Sequence, residues 1–128
     1  MKVVVGGQVD KKEVAALVKE HGPTGIEITV KSDMEAAMAV KTGAADYYVG
    51  ACHTGGGGAL AMAIAIIGRE KCETVSMPGR KPDEAKIREA VKAGKKAFGF
   101  TADHKETVIP MIMNAIRELT DNRGGGTP

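Results

Sequence analysis

The chain has few aromatic residues, little net charge and no long apolar run. Its 128 residues include two Tyr, two Phe and no Trp, too few for the stacking surfaces that hold single-stranded nucleic acid. The formal net charge of +2 is also too small for an electrostatic nucleic-acid footprint. The longest apolar run, residues 59–67, falls well short of the roughly 20 residues that a membrane-spanning helix requires. We therefore expect no nucleic-acid partner and no membrane insertion.

Cysteine is scarce as well. Cys52 and Cys72 are too few for a disulfide framework, and we expect both to be reduced thiols. The first strand-like segment follows Met1 with no signal peptide before it, which favours a cytoplasmic location. No HxH, HExxH or CxxC spacing occurs, so we expect neither a metal site nor a cofactor.

What the sequence does contain is a regular alternation of strand and helix patterns. Five short apolar runs, each followed by helical spacing, predict strands at Lys2–Val5, Ile26–Val30, Asp46–Gly50, Glu73–Met77 and Ala97–Phe100. Five β-α units predict a single-domain three-layer α/β/α fold around a five-stranded parallel sheet. The flavodoxin-like strand order 2-1-3-4-5 is the natural arrangement for such a chain. We expect this Rossmann-like domain to span residues 1–120 and a flexible tail to span residues 121–128.

Helix boundaries are also marked in the sequence. Asp10 with Glu13 and Ser32 with Glu35 each have the spacing of a capping box. Pro110 falls inside the last helical segment, where it is expected to kink or split the helix.

Four consecutive glycines, Gly55, Gly56, Gly57 and Gly58, separate the third predicted strand from an apolar helix. In open parallel sheets, ligands bind beyond the carboxyl ends of the strands where the strand order reverses, here between strands 1 and 3. Unpaired N–H groups at the start of a helix favour an anion, and glycine allows its close approach. We predict a site for a small anionic metabolite, carrying phosphate or carboxylate. The alternatives are a loose connection or close helix–strand packing.

The residues before the glycines add chemistry. Cys52 would lie near a helix N-terminus, which favours the thiolate, and His53 and Thr54 could supply a proton carrier and a hydroxyl. We regard these three as candidate catalytic residues. The alternative for Cys52 is a small buried apolar residue, and His53 could point away from the crevice.

Other residues follow predicted strands and could reach the same ligand. Gly7 and Gln8 follow strand 1, Arg80 follows strand 4, and Asp103 and His104 follow strand 5. Arg80 could meet a phosphate. The alternatives are an exposed basic residue for Arg80, a helix cap for Asp103 and a surface imidazole for His104.

The helix after the glycines, Ala59–Ile67, is apolar on every side. A helix packed on one sheet face needs only one apolar stripe. We expect its outer face to be covered by a second subunit, a dimer being the default. An alanine-rich exposed surface is the alternative.

Across nearly its whole length the chain resembles the YhfU-like family of small bacterial proteins. The matching segments are VVVGGQVDKKEVAALVKE, VKSDMEAAMAVKTG, DYYVGACHTGGGGALAMAIAIIG, ETVSMPGR and KKAFGFTADH. This resemblance implies a family without an established activity.

A second, local resemblance covers about a sixth of the chain. A strand, CxTGxG and an apolar helix are similar to the ribose-5-phosphate isomerase B and galactose-6-phosphate isomerase family. The resemblance implies that Cys52 is the base that moves a proton between adjacent carbons of a sugar phosphate. It further implies that Thr54 assists ring opening and that Gly55 and Gly57 bind the enediolate oxygens. Those isomerases carry an Asp-His pair after strand 1, where this chain has Gly6-Gly7-Gln8-Val9.

The sequence thus predicts a protein that binds a phosphorylated or carboxylated metabolite, with isomerase-like chemistry at Cys52. Two other functions are compatible with it: a non-catalytic binding or accessory protein, for example in transport, and a structural assembly subunit. A phosphocarrier of the phosphotransferase IIB type is disfavoured, because its cysteine follows the first strand and Cys52 follows the third.

Overall fold

A computed structural model describes residues 1–53 and 57–125 of the chain. The strands are β1 Lys2–Gly7, β2 Glu27–Val30, β3 Tyr47–Cys52, β4 Cys72–Thr74 and β5 Ala97–Thr101. The helices are α1 Lys11–His21, α2 Asp33–Lys41, α3 Gly57–Ile67, α4 Glu84–Lys92 and α5 Lys105–Gly125, with short 3₁₀ turns at Arg69–Lys71 and Ala102–His104. All strand pairs of the sheet are parallel, which confirms the predicted three-layer α/β/α class.

The strand order is β2-β1-β3-β5-β4, so the last two strands are exchanged relative to the predicted 2-1-3-4-5. Burial explains the exchange. All five residues of β5 are buried, whereas Glu73 and Thr74 of the three-residue β4 are only half-buried. A short, partly polar strand is suited to the edge of a sheet, and a wholly apolar strand to its centre.

Two separate apolar layers cover the sheet. Val3, Val5, Val49 and Phe98 face a large core shared with α1, α4 and α5. On the opposite face, a smaller and alanine-rich core lies under α2 and α3. Right-handed crossovers produce this division, because the chain moves one way along the sheet through α2 and α3 and the other way through α1 and α4.

Glycine allows the α2–α3 layer to lie close to the sheet. Gly6, Gly50 and Gly99 stand opposite one another in register on β1, β3 and β5; we call these three the glycine row. A Cβ atom at Gly6 would lie 2.6 Å from the ring of Tyr48, and one at Gly99 would lie 2.6 Å from Cγ of Leu60. The two side chains thus occupy the space that the glycine row leaves.

The two predicted capping boxes had different outcomes. Ser32 caps α2, and its hydroxyl also donates to the Glu35 carboxylate at 2.9 Å. Asp10, at the start of α1, makes no side-chain cap, so the predicted capping box is wrong there. Its carboxylate instead pairs with Lys105 at 3.2 Å, and hydrogen bonding to Asp10 raises the pKa of Lys105.

Helix α5 continues through Pro110 without being split. It extends to Gly125, five residues into the segment for which the sequence predicts a tail. Within the described part of the chain, no helix is both long and apolar enough to cross a membrane.

Candidate functional site

The carboxyl ends of the three central strands, β1, β3 and β5, lie together, and we call this the common edge. Gly7 of β1 is in register with Ala51 of β3, and Cys52 is in register with Thr101 of β5. Side chains of neighbouring parallel strands in register lie side by side. Cys52 and Thr101 are therefore adjacent, immediately beyond the glycine row.

Cys52 faces the α2–α3 layer. Successive strand residues alternate between faces, so Cys52 shares a face with Gly50 and Tyr48, and Tyr48 packs in the alanine-rich core. The Cys52 side chain is buried, with 1% exposed. The sequence predicts this strand-end location, and the chemical role of the thiol stays a prediction.

Thr101 and Ser76 form a buried polar pair beside Cys52. Ser76 is fully buried, and its hydroxyl oxygen accepts the Thr101 N–H at 3.3 Å. The Thr101 hydroxyl donates to the carbonyl of His53 at 3.3 Å. This bond fixes the His53 backbone directly after β3, while the His53 side chain is exposed. Thr101 thus helps to determine the direction in which the chain leaves β3.

Asp33 joins α2 to both β1 and β3. It is the first residue of α2, and its Oδ1 accepts the Gly7 N–H at 2.5 Å and the Tyr48 hydroxyl at 2.9 Å. The carboxylate therefore lies at the reversal point between β1 and β3, where parallel sheets place their ligands.

Tyr48 is buried under α2, with 1% exposed. A Cβ atom at Gly50 would lie 2.9 Å from its hydroxyl oxygen, so the ring extends over the glycine row toward the strand ends. Burial raises the pKa of Tyr48, and the neighbouring Asp33 carboxylate raises it further. The hydroxyl thus stays protonated across the physiological range and acts as a donor to Asp33.

The loop after β1 folds back on β3. Gly7 has φ +85°, and its N–H is directed at Asp33. The Gln8 N–H donates to the Ala51 carbonyl at 2.9 Å, and the Gln8 side chain is exposed at this edge. The structure thus gives both backbone N–H groups partners within the protein, and ligand contacts by Gly7 and Gln8 stay a prediction.

The predicted anion loop lies largely outside the described residues. This applies to Thr54, Gly55 and Gly56. Gly57 and Gly58 are the first two residues of α3, so the helix begins two residues before the predicted start at Ala59. Anion binding by the segment stays a prediction.

The remaining candidates lie elsewhere along the same edge. Arg80 is on the exposed turn after β4, and its guanidinium donates to the Thr74 carbonyl at 3.2 Å. It lines a cavity of about 130 Å³ together with Lys81 and Lys86. Because β5 lies between β4 and β3, the exchanged strand order separates Arg80 from the Cys52 strand end. The predicted strand order placed the strand before Arg80 next to the Cys52 strand, whereas the observed order places β5 between them.

Asp103 and His104 lie in the 3₁₀ turn that follows β5. Asp103 is exposed. Nδ1 of His104 is buried and has no hydrogen-bond partner among the described residues. Contacts of either side chain with a ligand stay predictions.

Cys72 is the first residue of β4 and so lies at the amino ends of the strands, opposite the carboxyl ends where Cys52 lies. Its Sγ donates to the Gly68 carbonyl at 3.4 Å, and burial raises the pKa of its thiol. No cluster of three or more His, Cys, Asp or Glu side chains suited to a metal ion occurs in residues 1–53 and 57–125.

The comparison with sequence families decides the family. The sequence model of the family described as "Protein of unknown function DUF2620" matches residues 1–116. The chain belongs to the DUF2620 family. This DUF2620 protein is 40% identical over 116 residues to the uncharacterized protein YhfU of Escherichia coli K12, covering 91% of this chain and 98% of that protein. The same values hold for YhfU of Shigella flexneri. The predicted family resemblance is confirmed.

Solved structures show the same fold. The DUF2620 chain is similar to ribose-5-phosphate isomerase B from Giardia lamblia, with TM-score 0.66 and 18% identity over 91% of this chain and 94% of that one. It is also similar to ribose-5-phosphate isomerase B from Clostridium thermocellum, with TM-score 0.61 and 16% identity over 98% and 94% of the two chains. At such identities the likeness concerns the fold alone, and it confirms the flavodoxin-like architecture.

Sequence reasoning gave no site role to four polar residues of this DUF2620 site: Asp33, Tyr48, Ser76 and Thr101. Asp33 has the pattern of a first-turn helix residue and Tyr48 that of an apolar strand residue. A signal was available for Tyr48 alone. Each central strand has a glycine one or two residues before its end, and a glycine inside a strand indicates that another group approaches the backbone closely.

Proposed function

We propose that this protein is cytoplasmic, that it binds a small phosphorylated or carboxylated metabolite at the common edge of β1, β3 and β5, and that Cys52 transfers a proton as in sugar-phosphate isomerases. The observation that carries the proposal is the position of Cys52. It ends a central strand beside Thr101, on the face covered by α2 and α3, and the glycine run leads from it into α3. The fold likeness to ribose-5-phosphate isomerase B supports the same reading.

The proposed chemistry needs a base and donors for a developing negative charge. The Cys52 thiolate removes a proton from the carbon next to the substrate carbonyl, and the electron pair moves to form an enediolate. N–H groups of the segment Gly55–Gly58 stabilise the enediolate oxygens. The thiol then returns the proton to the neighbouring carbon, while a proton moves between the two oxygens. Thr54 assists ring opening, and His53 is the candidate carrier between the oxygens.

Incorporation of solvent deuterium tests this reaction without knowledge of the product. The protein is incubated in D₂O with aldose and ketose phosphates, and exchange at the carbon next to the carbonyl is followed by NMR. Cys52→Ala should slow the exchange at least about 100-fold, because a positioned base contributes that much. Cys72→Ala is the matched control and should exchange at the wild-type rate, since Cys72 lies at the amino ends of the strands.

The second candidate function is binding without catalysis. It is favoured by the β1 loop, where Gly7 and Gln8 supply no titratable side chain. A ligand that raises the melting temperature while no deuterium enters any tested substrate would favour this function. If no phosphorylated or carboxylated compound alters melting, both binding proposals fail and an assembly subunit is left.

We propose further that the protein forms a dimer through the α2–α3 face. On α3, Ala61 and Ala65 are exposed, and the adjoining α2 exposes 56% of Met34 and 42% of Met38. Contiguous apolar surface of this kind is typical of subunit interfaces.

Met34→Lys should weaken the dimer at least about tenfold, because it brings a charge into an apolar contact. Sedimentation velocity over a concentration series measures the change. Met77→Lys is the control, since Met77 has the same 42% exposure as Met38 but belongs to the turn after β4 and to neither helix. A wild-type protein that is monomeric at high micromolar concentration contradicts the proposed dimer.

A further inference from the structure

Asp33 places one carboxylate at the point where the proposed ligand binds. Its Oδ1 is held by the Gly7 N–H of β1 and the Tyr48 hydroxyl of β3. The position is therefore fixed from two strands as well as by the start of α2. Among the described residues, no group donates to the second oxygen, Oδ2, and the Asp33 side chain is only half-buried. Oδ2 thus retains the capacity to accept a hydrogen bond.

The carboxylate shares its side of the sheet with Cys52. Tyr48, Gly50 and Cys52 all lie on the α2–α3 face of β3, and Asp33 approaches that face from the start of α2. The Gly7 nitrogen whose N–H binds Asp33 would lie 3.0 Å from a Cβ atom added at Gly50. Cys52 is two residues beyond Gly50 on the same strand, so Asp33 and Cys52 lie at the same end of the sheet.

A fixed carboxylate selects among anionic ligands. It repels a second carboxylate or phosphate at close range and accepts a hydrogen bond from a hydroxyl group. We infer that Asp33 is a ligand-binding residue that accepts a hydrogen bond from a substrate hydroxyl, so that the metabolite is a polyhydroxylated phosphate and not a phosphorylated carboxylic acid. This inference rests on the proposed function, because it needs the ligand of that site to lie at the common edge of β1, β3 and β5. Tyr48 is a positioning residue that acts through Asp33.

A matched pair of probes tests the inference. Glycerol 3-phosphate and 3-phosphoglycerate share a three-carbon skeleton and differ in whether the end distal to the phosphate is a hydroxymethyl or a carboxylate. Inorganic phosphate reports on the anion site alone. Affinities are measured by isothermal titration calorimetry on the full chain. The wild-type protein should bind glycerol 3-phosphate at least about tenfold more tightly than 3-phosphoglycerate, the size of one hydrogen bond to a charged group.

Asp33→Asn is the decisive variant. Its amide oxygen can still accept from Gly7 and Tyr48, so the fold is retained while the charge is lost. The preference for glycerol 3-phosphate should fall about tenfold, and affinity for inorganic phosphate should stay the same or rise. Tyr48→Phe keeps the ring over the glycine row, removes the donor, and should reduce the preference in the same direction to a smaller extent.

Asp46→Asn is the matched control. Asp46 is exposed at the amino ends of the strands, where it accepts the Lys2 N–H. Its substitution therefore changes the net charge by the same amount as Asp33→Asn and leaves the site untouched. If Asp33→Asn and Asp46→Asn have equal effects, or if Asp33→Asn leaves the preference intact, the inference about Asp33 is overturned while the proposed function stands. If the wild-type protein binds none of the three probes, the inference about Asp33 is overturned, and the melting test with the wider set of phosphorylated and carboxylated compounds decides the proposed function.

Discussion

Replacing Gly7 with alanine should lower the free energy of unfolding by about 2–5 kcal/mol. Two costs combine. Gly7 has φ +85°, a left-handed conformation that costs an L-residue roughly 1–2 kcal/mol. The new Cβ would also lie 2.6 Å from both N and O of Ala51, and forcing atoms into a packed region costs about 1–3 kcal/mol more. Because the contact is with backbone, no side-chain rotation can relieve it.

Urea unfolding followed by circular dichroism measures this change. Gly94→Ala is the control, because Gly94 has φ +91° and a Cβ there would have no neighbour within 4 Å. The control should lose only the roughly 1–2 kcal/mol of the backbone conformation. Equal losses in the two variants would show that β1 and β3 separate freely at Gly7, contrary to the packing described above.

The second large effect concerns Gly99 and Leu60, which define how closely α3 approaches the sheet. Gly99→Ala would place its Cβ 2.6 Å from Cγ and 2.9 Å from Cδ1 of Leu60, and should cost about 1–3 kcal/mol through overpacking. Leu60→Ala removes a buried side chain, 1% exposed, and should cost about 2–5 kcal/mol. In the double variant the new methyl group enters the space left by Leu60. The combined loss should therefore be smaller than the sum by at least about 1 kcal/mol.

A double-mutant cycle by urea unfolding measures the coupling. Leu60→Ala combined with Gly25→Ala is the control pair, since nothing lies within 4 Å of a Cβ at Gly25. Its two effects should add to within about 0.5 kcal/mol. Strict additivity of the Leu60 and Gly99 effects would contradict the close contact.

The alternation of strands and helices could be predicted from the sequence because its signals are local. β-branched runs, helical spacing and glycine stops each involve neighbouring residues. Strand order depends on packing between distant segments. The predicted order placed β4 beside β3, whereas in the structure β5 is beside β3. The polar residues Glu73 and Thr74 mark β4 as an edge strand, whereas the apolar segment Ala97–Thr101 marks β5 as central. That contrast is visible in the sequence and would have corrected the order.

The candidate site was partly predictable for the same reason. The location of Cys52 at a strand end follows from local pattern and from the general position of sites in parallel sheets. The contact of Asp33 with Tyr48 and Gly7 joins three segments, and each residue has an ordinary local explanation. Arg80 follows β4, as predicted. Because β4 is the outermost strand, Arg80 lies farther from Cys52 than the predicted strand order implies.

The glycine row has a consequence for how new ligand pockets could arise in this family. Tyr48 lies against Gly6 and Gly50, and Leu60 lies against Gly99, so these two side chains fill the space that the glycine row leaves. A smaller residue at position 48 would leave space over Gly6 and Gly50, next to the strand end that carries Cys52. Variation at this single aromatic position would therefore change the depth of the site.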